Sequence, residues 1–190
     1  MLTPDFLRTK FAAALPYDPY VATGQPHQQG TRRPRRELDV LSDAQRALVR
    51  SFTRRMPVLV TSGMWCGDCA QQCPMLDAVA QANPDAVAPR FLDRDAHADL
   101  SERIRICGGL RVPTVVFLNE DFEFVHLLGD RTLSRYRAMA AKSLGAACPL
   151  PGAPLPQDEL NATLQDWLDE FERAHLVLRL SPKLRQRHND

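Results

Sequence analysis

No apolar run in this sequence approaches the roughly 20 residues that a membrane-spanning helix needs, so a membrane-embedded role is not expected. An excess of one charge is also missing. Lys and Arg number 24 against 23 Asp and Glu, a formal net charge of +1, so no global field draws the chain to nucleic acid or to a membrane surface. The N-terminus, MLTPDFLRTKFAAALP, has charges near its start and no long apolar core. It does not read as a signal peptide, and a cytoplasmic protein is expected. No internal repeat is found. Nor is there an even set of cysteines: Cys66, Cys69, Cys73, Cys107 and Cys148 are five, three of them clustered. That is a poor disulfide framework, and in a reducing compartment such a cluster points to catalysis or metal binding. What is present is the composition of a soluble globular protein, 44% hydrophobic and 25% charged, with 190 residues for one domain plus extensions.

Thr3, Pro4 and Asp5 read as a helix start: an N-cap, a proline at the first helical position and an acid in the first turn. That helix carries Phe6, Leu7, Phe11 and Leu15 and stops before Pro16. Residues 16–36, rich in Pro, Gly, Gln and Arg, read as an irregular connection. Ser42 to Gln45 is a capping box that opens a helix running to about Arg55. Strands are expected at 58–60, 90–92, 112–118 and 122–128, the last antiparallel because its connection is short. Helices are expected at 67–82, kinked at Pro74, at 96–106 and at 132–144. Residues 145–157 form a Pro-rich linker. A last helix spans about 158–178, with Leu160, Leu164, Trp167, Leu168 and Phe171 on one face that must dock on the core or on a second copy. The polar tail, SPKLRQRHND, reads as frayed.

The stretch GMWCGDCAQQCP, residues 63–74, admits three readings. A structural metal site wants a second ligand pair, and no other C-x-x-C and no H-x-x-x-H exists; C-x2-C-x3-C-P matches fragments of cluster-binding spacing, with Cys107 as a conceivable fourth ligand. As plain packing, cysteines are small buried hydrophobes, the preferred reading for Cys107 and Cys148 and an even one for Cys73. The redox reading explains more. Cys66 falls where a strand ends and a helix begins, and there the free backbone N–H groups and the helix dipole stabilise a thiolate, the nucleophilic form. Cys69 lies one turn on, placed to attack a mixed disulfide. Gly67 lets the turn form, and Trp65 covers the site with an apolar surface.

Trp65-Cys66-Gly67-Asp68-Cys69 resembles the W-C-G-P-C of the thioredoxin superfamily, with Asp in place of Pro. Pro74 stands where that family's active-site helix has a proline, Val112-Pro113-Thr114 resembles its cis-proline segment, and Gly129 resembles the glycine that borders its substrate groove. The likeness covers about residues 50–145. Arg94-Asp95, the run Gly108-Gly109-Leu110-Arg111 and Tyr17-Asp18-x-Tyr20 are similar to a bacterial thioredoxin-like group with an N-terminal helical arm. The resemblance implies a cis bond at Pro113 that brings the Val112 backbone beside the cysteines, where it can pair with an extended peptide. Two departures stand out. The family's buried aspartate, six residues before the first cysteine, is Val60 here, which leaves water or Asp68 to take the Cys69 proton. Asp68 itself places a negative charge near Cys66 that opposes its thiolate.

The expected fold is α/β, a thioredoxin fold with a central mixed sheet flanked by helices and extra helices at both ends. Residues 1–49 form a helical extension packed on the core, 50–146 the thioredoxin-like domain, and 147–190 the linker and C-terminal helix. The expected function is thiol–disulfide oxidoreductase, reducing protein or small-molecule disulfides. Cys66 and Cys69 are catalytic, and Trp65, Gly67, Asp68, Val112, Pro113, Thr114 and Gly129 bind substrate. No cofactor or metal is called for. The partners are a disulfide substrate and a reducing partner, thioredoxin reductase or another dithiol donor, with no nucleic acid and no membrane. The alternative is a binding or redox-sensing module with weak activity, which the missing acid favours and the intact cysteine pair disfavours. The basic run Arg32, Arg33, Arg35 and Arg36 reads as solvated surface, and His97 and His126 are given no ligand role.

Overall fold

The computed structural model of the protein describes residues 1–37, 41–144 and 159–190. Cys148, the Pro-rich linker and the start of the last helix lie outside the described residues. Four strands form one mixed sheet in the order β2-β1-β3-β4: β1 (Met56–Ser62), β2 (Val87–Asp93), β3 (Thr114–Leu118) and β4 (Phe124–Gly129). β1 and β2 are parallel, joined across α5 (Gly67–Ala82), while β3 runs antiparallel to both β1 and β4. Alternation along the strands makes two cores. Val58, Val60, Phe91, Val115 and Phe117 face one way, toward α5, and Leu59, Leu92, Val116 and Leu118 face the other. β1 is buried from end to end, as expected of a strand with neighbours on both edges and cover on both faces.

The second core is closed by α1 (Pro4–Ala13), through Leu7, and by the short α6 (Ala98–Ser101), through Leu100. α1 is capped as expected, with the Phe6 N–H donating to Thr3 Oγ1 at 3.3 Å, but it ends at Ala13. Leu15 leaves the helix to pair with Phe91 of β2, exchanging backbone hydrogen bonds of 3.0 and 2.7 Å.

Residues 16–36 are not an irregular connection. They hold α2 (Tyr17–Ala22) and α3 (Pro26–Glu37). Neither has the propensity to stand alone; tertiary packing makes them helical. Tyr17, Tyr20 and Val21 recur on one helical face and are buried, with the two tyrosine rings 5.3 and 5.6 Å from Phe91. α3 packs on α5 and sinks Arg32 into that contact, so Arg32 is not the solvated loop residue expected; the side chains of Arg33, Arg35 and Arg36 lie outside the described residues. α4 (Asp43–Arg50) begins with the expected capping box but stops short of Arg55. Asn83 Nδ2 takes the carbonyls of Val49 and Phe52 at 2.9 and 3.0 Å and turns the chain there.

The helix expected over 96–106 is a single turn: past Ser101 the backbone bonds tighten to three-residue spacing, Arg103 N–H to Leu100 O at 2.9 Å, and further on Cys107 and Gly108 adopt positive φ (49° and 74°) in a turn closed by Ile106 and Gly109. Cys107 is exposed there, not buried. β4 starts at Phe124, after a turn in which Phe122 has φ 65° and Asn119 Oδ1 accepts the N–H groups of Asp121 and Glu123, each at 2.9 Å. α5 runs unbroken from Gly67 to Ala82 through Pro74.

α7 (Leu133–Leu144) is followed by α8 (Glu159–Leu180), whose apolar face docks on this chain's own α5, α7 and β4. Leu164, Trp167, Leu168 and Phe171 are buried, while Leu160 is 53% exposed. The tail is not frayed. It forms α9 (Pro182–His188), where Ser181 Oγ caps Leu184 N–H, Leu184 is buried, and Lys183 and Arg187 pair with Asp121 at 2.6 and 2.8 Å. Among the described residues no helix is long and apolar enough to cross a membrane.

Candidate active site

β1 delivers the chain to the edge of the sheet at Ser62, and Gly63 to Cys66 form a tight turn, with the Cys66 N–H donating to Gly63 O at 3.0 Å. Cys66 is the N-cap of α5, in extended conformation (φ −87°, ψ 124°). Its Sγ accepts the Cys69 N–H at 3.3 Å, and its carbonyl accepts the first helical bond from Ala70 at 3.0 Å. A cysteine thus occupies the place that Ser or Asp usually fills, pointing its sulfur at the free donors of the first turn. Cys66 is half-buried; Cys69 and Cys73, on successive turns behind it, are fully buried.

The Val112–Pro113 bond is cis, and Val112 O lies 3.7 Å from Cys66 Sγ. Thr114 is buried, its hydroxyl donating to Arg111 O at 2.7 Å. Gly129, at the end of β4, lies against the same segment; a Cβ there would meet Pro113 O at 2.5 Å. The structure therefore brings Cys66, Cys69, Val112, Pro113, Thr114 and Gly129 together. Gly67 opens α5 with free space around it. Trp65 is less of a cover than expected: it is 56% exposed, and its ring carries the Arg94 guanidinium at 4.6 Å. With Met64, His27, Gln28 and Gln71 it lines a cleft of about 440 Å³ that opens on Cys66.

The expected lowering of the Cys66 pKa does not hold in the dithiol. The hydrogen bond shared with the Cys69 thiol, then burial, holds it above the ordinary value, and the N–H groups of Cys69 and Asp68 draw it down without reversing the direction. Burial likewise raises the Cys69 thiol. Cys73 goes the other way: its hydrogen bond with Cys69 lowers it, aided by Ser62 and by Arg32, against the opposing effect of burial.

Asp68 is also not the free anion expected beside Cys66. Its carboxylate is held by Arg131 at 2.5 Å and Arg135 at 2.9 Å, so two guanidiniums match its charge. Arg131 continues to Asp130 at 2.8 Å, which Arg111 reaches at 3.4 Å and the Tyr136 hydroxyl also binds. Against burial, Tyr136 and these arginines hold the Asp130 carboxyl below its usual range. Gln72, fully buried, donates to Asp130 O and accepts from Trp167 Nε1, both at 3.0 Å, tying α8 to the site's far wall. Behind the cysteines lie Arg32, Tyr20 and Ser62: Arg32 donates to Gly63 O at 3.0 Å and Cys66 O at 3.4 Å, and Ser62 Oγ is 3.5 Å from Cys73 Sγ. Tyr20 belongs to the Tyr17-Asp18-x-Tyr20 pattern, but Arg32, Ser62, Gln72, Arg131 and Arg135 belong to no local motif; Arg32, Ser62 and Gln72 stand out only as buried polar residues. Among the described residues, no group of three His, Cys, Asp or Glu side chains is arranged to hold a metal ion.

The thioredoxin family model matches residues 14–142. A thioredoxin from Echinococcus granulosus is 32% identical over 65 residues, 34% of this chain; the match spans only 57% of that protein. Two solved structures share the fold over most of the chain. One, a protein of unknown function from Pseudomonas aeruginosa, is 24% identical with a TM-score of 0.67, covering 92% of this chain and 99% of its own. The other, an HIV epitope scaffold, is 22% identical with a TM-score of 0.58, covering 88% and 92%. The matched span takes in all four strands, Cys66 and Cys69, and the chain belongs to the thioredoxin family.

Proposed function

We propose that the protein is a thiol–disulfide oxidoreductase that reduces protein or small-molecule disulfides with Cys66 and Cys69. One observation carries this reading. The half-exposed thiol of the cluster sits at the N-cap of α5, with the Cys69 N–H on its sulfur at 3.3 Å and Val112 O at 3.7 Å, where the cleft opens. Cys66, deprotonated to solvent, attacks one sulfur of the substrate; that S–S bond breaks and the first thiolate leaves with the electron pair. Cys69 gives up its proton and attacks Cys66 Sγ, the mixed disulfide breaks, and the second thiolate leaves. The chain is left with a Cys66–Cys69 disulfide, which a dithiol donor must reduce. Val112, Pro113, Thr114 and Gly129 form the wall against which an extended substrate would lie, with Trp65, Gly67 and Asp68 across from it. A reducing compartment suits this cycle, and the cytoplasm is the proposed location.

Insulin reduction with dithiothreitol as donor tests the reading. Cys66→Ser should abolish turnover, and Cys69→Ser should accumulate a mixed disulfide on Cys66. Full turnover by Cys66→Ser would overturn it. A second reading, a binding or redox-sensing module, is favoured by Val60 at the position where the family carries an acid. It requires that the Cys66–Cys69 disulfide form while insulin turnover stays at background.

A further inference from the structure

Cys69 must lose its proton to release the second product, yet it is fully buried, burial raises its pKa, and the position six residues before Cys66 is Val60, a hydrocarbon. Asp68, the other carboxylate at hand, is occupied by Arg131 and Arg135. The next thiol on the helix offers another acceptor. Cys73 is fully buried one turn beyond Cys69, its sulfur 3.5 Å from Ser62 Oγ.

Arg32 reaches the same cluster from α3. It is 1% exposed and, among the described residues, donates only to carbonyls, Gln28 O at 3.4 Å, Gly63 O at 3.0 Å and Cys66 O at 3.4 Å, with no partner for its Nε. Among the described residues no carboxylate pairs with it. A buried cation without an anion is costly. The groups able to become an anion beside it are Cys73 and Tyr20, and burial keeps the Tyr20 phenol protonated. The titratable and charged groups facing Cys73 are Cys66 and Cys69 on its own helix, Tyr20 on α2 and Arg32 on α3; β1 contributes the Ser62 hydroxyl.

We propose that Cys73, set against Ser62 and the buried Arg32, is the proton acceptor for Cys69 in the product-releasing step. This rests on the oxidoreductase reading. The proton passes from Cys69 Sγ to the Cys73 thiolate. Cys69 attacks Cys66 Sγ, the Cys66–substrate S–S bond breaks, and the leaving thiolate takes the electron pair. Cys73 then returns the proton to that thiolate through solvent, so the net exchange is one mixed disulfide and one thiol for the Cys66–Cys69 disulfide and one product thiol. Cys73 changes no oxidation state, and Arg32 acts through it as a positioning residue.

Single-turnover reaction of the fully reduced protein carrying Cys107→Ser and Cys148→Ser, which removes the exposed Cys107 thiol and Cys148 as further sources of thionitrobenzoate, with 5,5′-dithiobis(2-nitrobenzoate) separates the two steps. Attack by Cys66 releases one thionitrobenzoate, and attack by Cys69 releases the second. In Cys73→Ala the first phase should be unchanged, while the second slows on the order of 10²-fold at pH 7, the usual size of a general-base contribution. Its rate should rise with hydroxide up to high pH, where the wild-type rate levels off below the titration of an ordinary thiol. Arg32→Gln, which keeps donors for the carbonyls but removes the charge, should move the wild-type plateau to higher pH. Cys69→Ser should still release the first thionitrobenzoate, at a rate altered by loss of the Cys69 hydrogen bond to Cys66, and no second. A Cys73→Ala second phase with wild-type rate and pH profile would overturn the proposal, as would a second release from Cys69→Ser, which would make Cys73 an attacking thiol. If Cys73→Ala does not fold, an unshifted plateau in Arg32→Gln overturns it. Absence of a first phase in the wild type would instead sink the oxidoreductase reading.

Discussion

At the scale of single residues the site depends on how each charge is matched. Asp68 follows Cys66 by two positions, and Arg131 and Arg135 hold its carboxylate. Exchanging either side should move the Cys66 thiol in opposite directions. Asp68→Asn leaves two guanidiniums without their anion near the N-terminus of α5, and the Cys66 pKa should fall. Arg135→Gln leaves Asp68 half-matched, and the pKa should rise. Thiolate absorbance at 240 nm, followed against pH, reads both; two shifts of the same sign would contradict this arrangement. The places of Cys66 and Cys69 were legible from spacing, at a strand end and one helical turn on, whereas Val112, Pro113, Thr114 and Gly129 were singled out by resemblance to the family; the structure brings these positions together. Arg32 was not legible. In the run Arg32-Arg33-Pro34-Arg35-Arg36 nothing local separates the buried guanidinium from its neighbours; the difference comes from α5, more than thirty positions away. The low thiolate expected at Cys66 failed for a related reason. The helix N-terminus acts as expected, but the neighbouring thiol of Cys69 outweighs it.

Among elements, α8 shows most clearly how a terminal helix is made part of the fold. Trp167 is fully buried and hydrogen-bonded to Gln72, and Phe171 meets Phe117 edge-on at 5.1 Å. Further along, His175 is buried against Phe52, with ring centroids 4.5 Å apart, and its Nε2 accepts the N–H of Thr53 at 3.0 Å. An acceptor nitrogen cannot carry a proton. Burial first, then Arg179 and Arg54, lowers the His175 pKa to about 4. The unfolded chain, with a histidine near 6.5, binds the proton more readily. The stability this group contributes is therefore complete above about pH 6.5 and is lost as pH falls toward 4. Urea denaturation at pH 7 and pH 5 should show a loss of about 1–2 kcal/mol that His175→Gln removes. An equal loss in that variant would place the pH dependence elsewhere. The apolar stripe of α8 could be read from its periodicity, though not its destination. α2, α3 and α9 escaped because they are short or polar and become helical through packing, capping and ion pairs made at long range.

For the whole molecule, the sheet sets Cys66 and the cis-Pro113 segment against each other, while the helices before β1 supply what lies behind them. Tyr20 and Arg32 come from α2 and α3, Ser62 from β1, and Cys73 from α5, so the pocket behind the cysteines is assembled from segments distant in sequence. Neither strand order nor that pocket has a motif; the β-α-β-α-β-β-α pattern could be read, and the long-range contacts could not. The central claim is that Cys66 and Cys69 form a reducing dithiol–disulfide couple. Equilibration of the purified protein in dithiothreitol redox buffers, with alkylation and mass readout, measures it directly. A reversible two-electron couple near the region of disulfide reductases, about −270 mV, is the expected result. A couple near about −120 mV, the region of disulfide donors, or a pair that does not cycle, would contradict it.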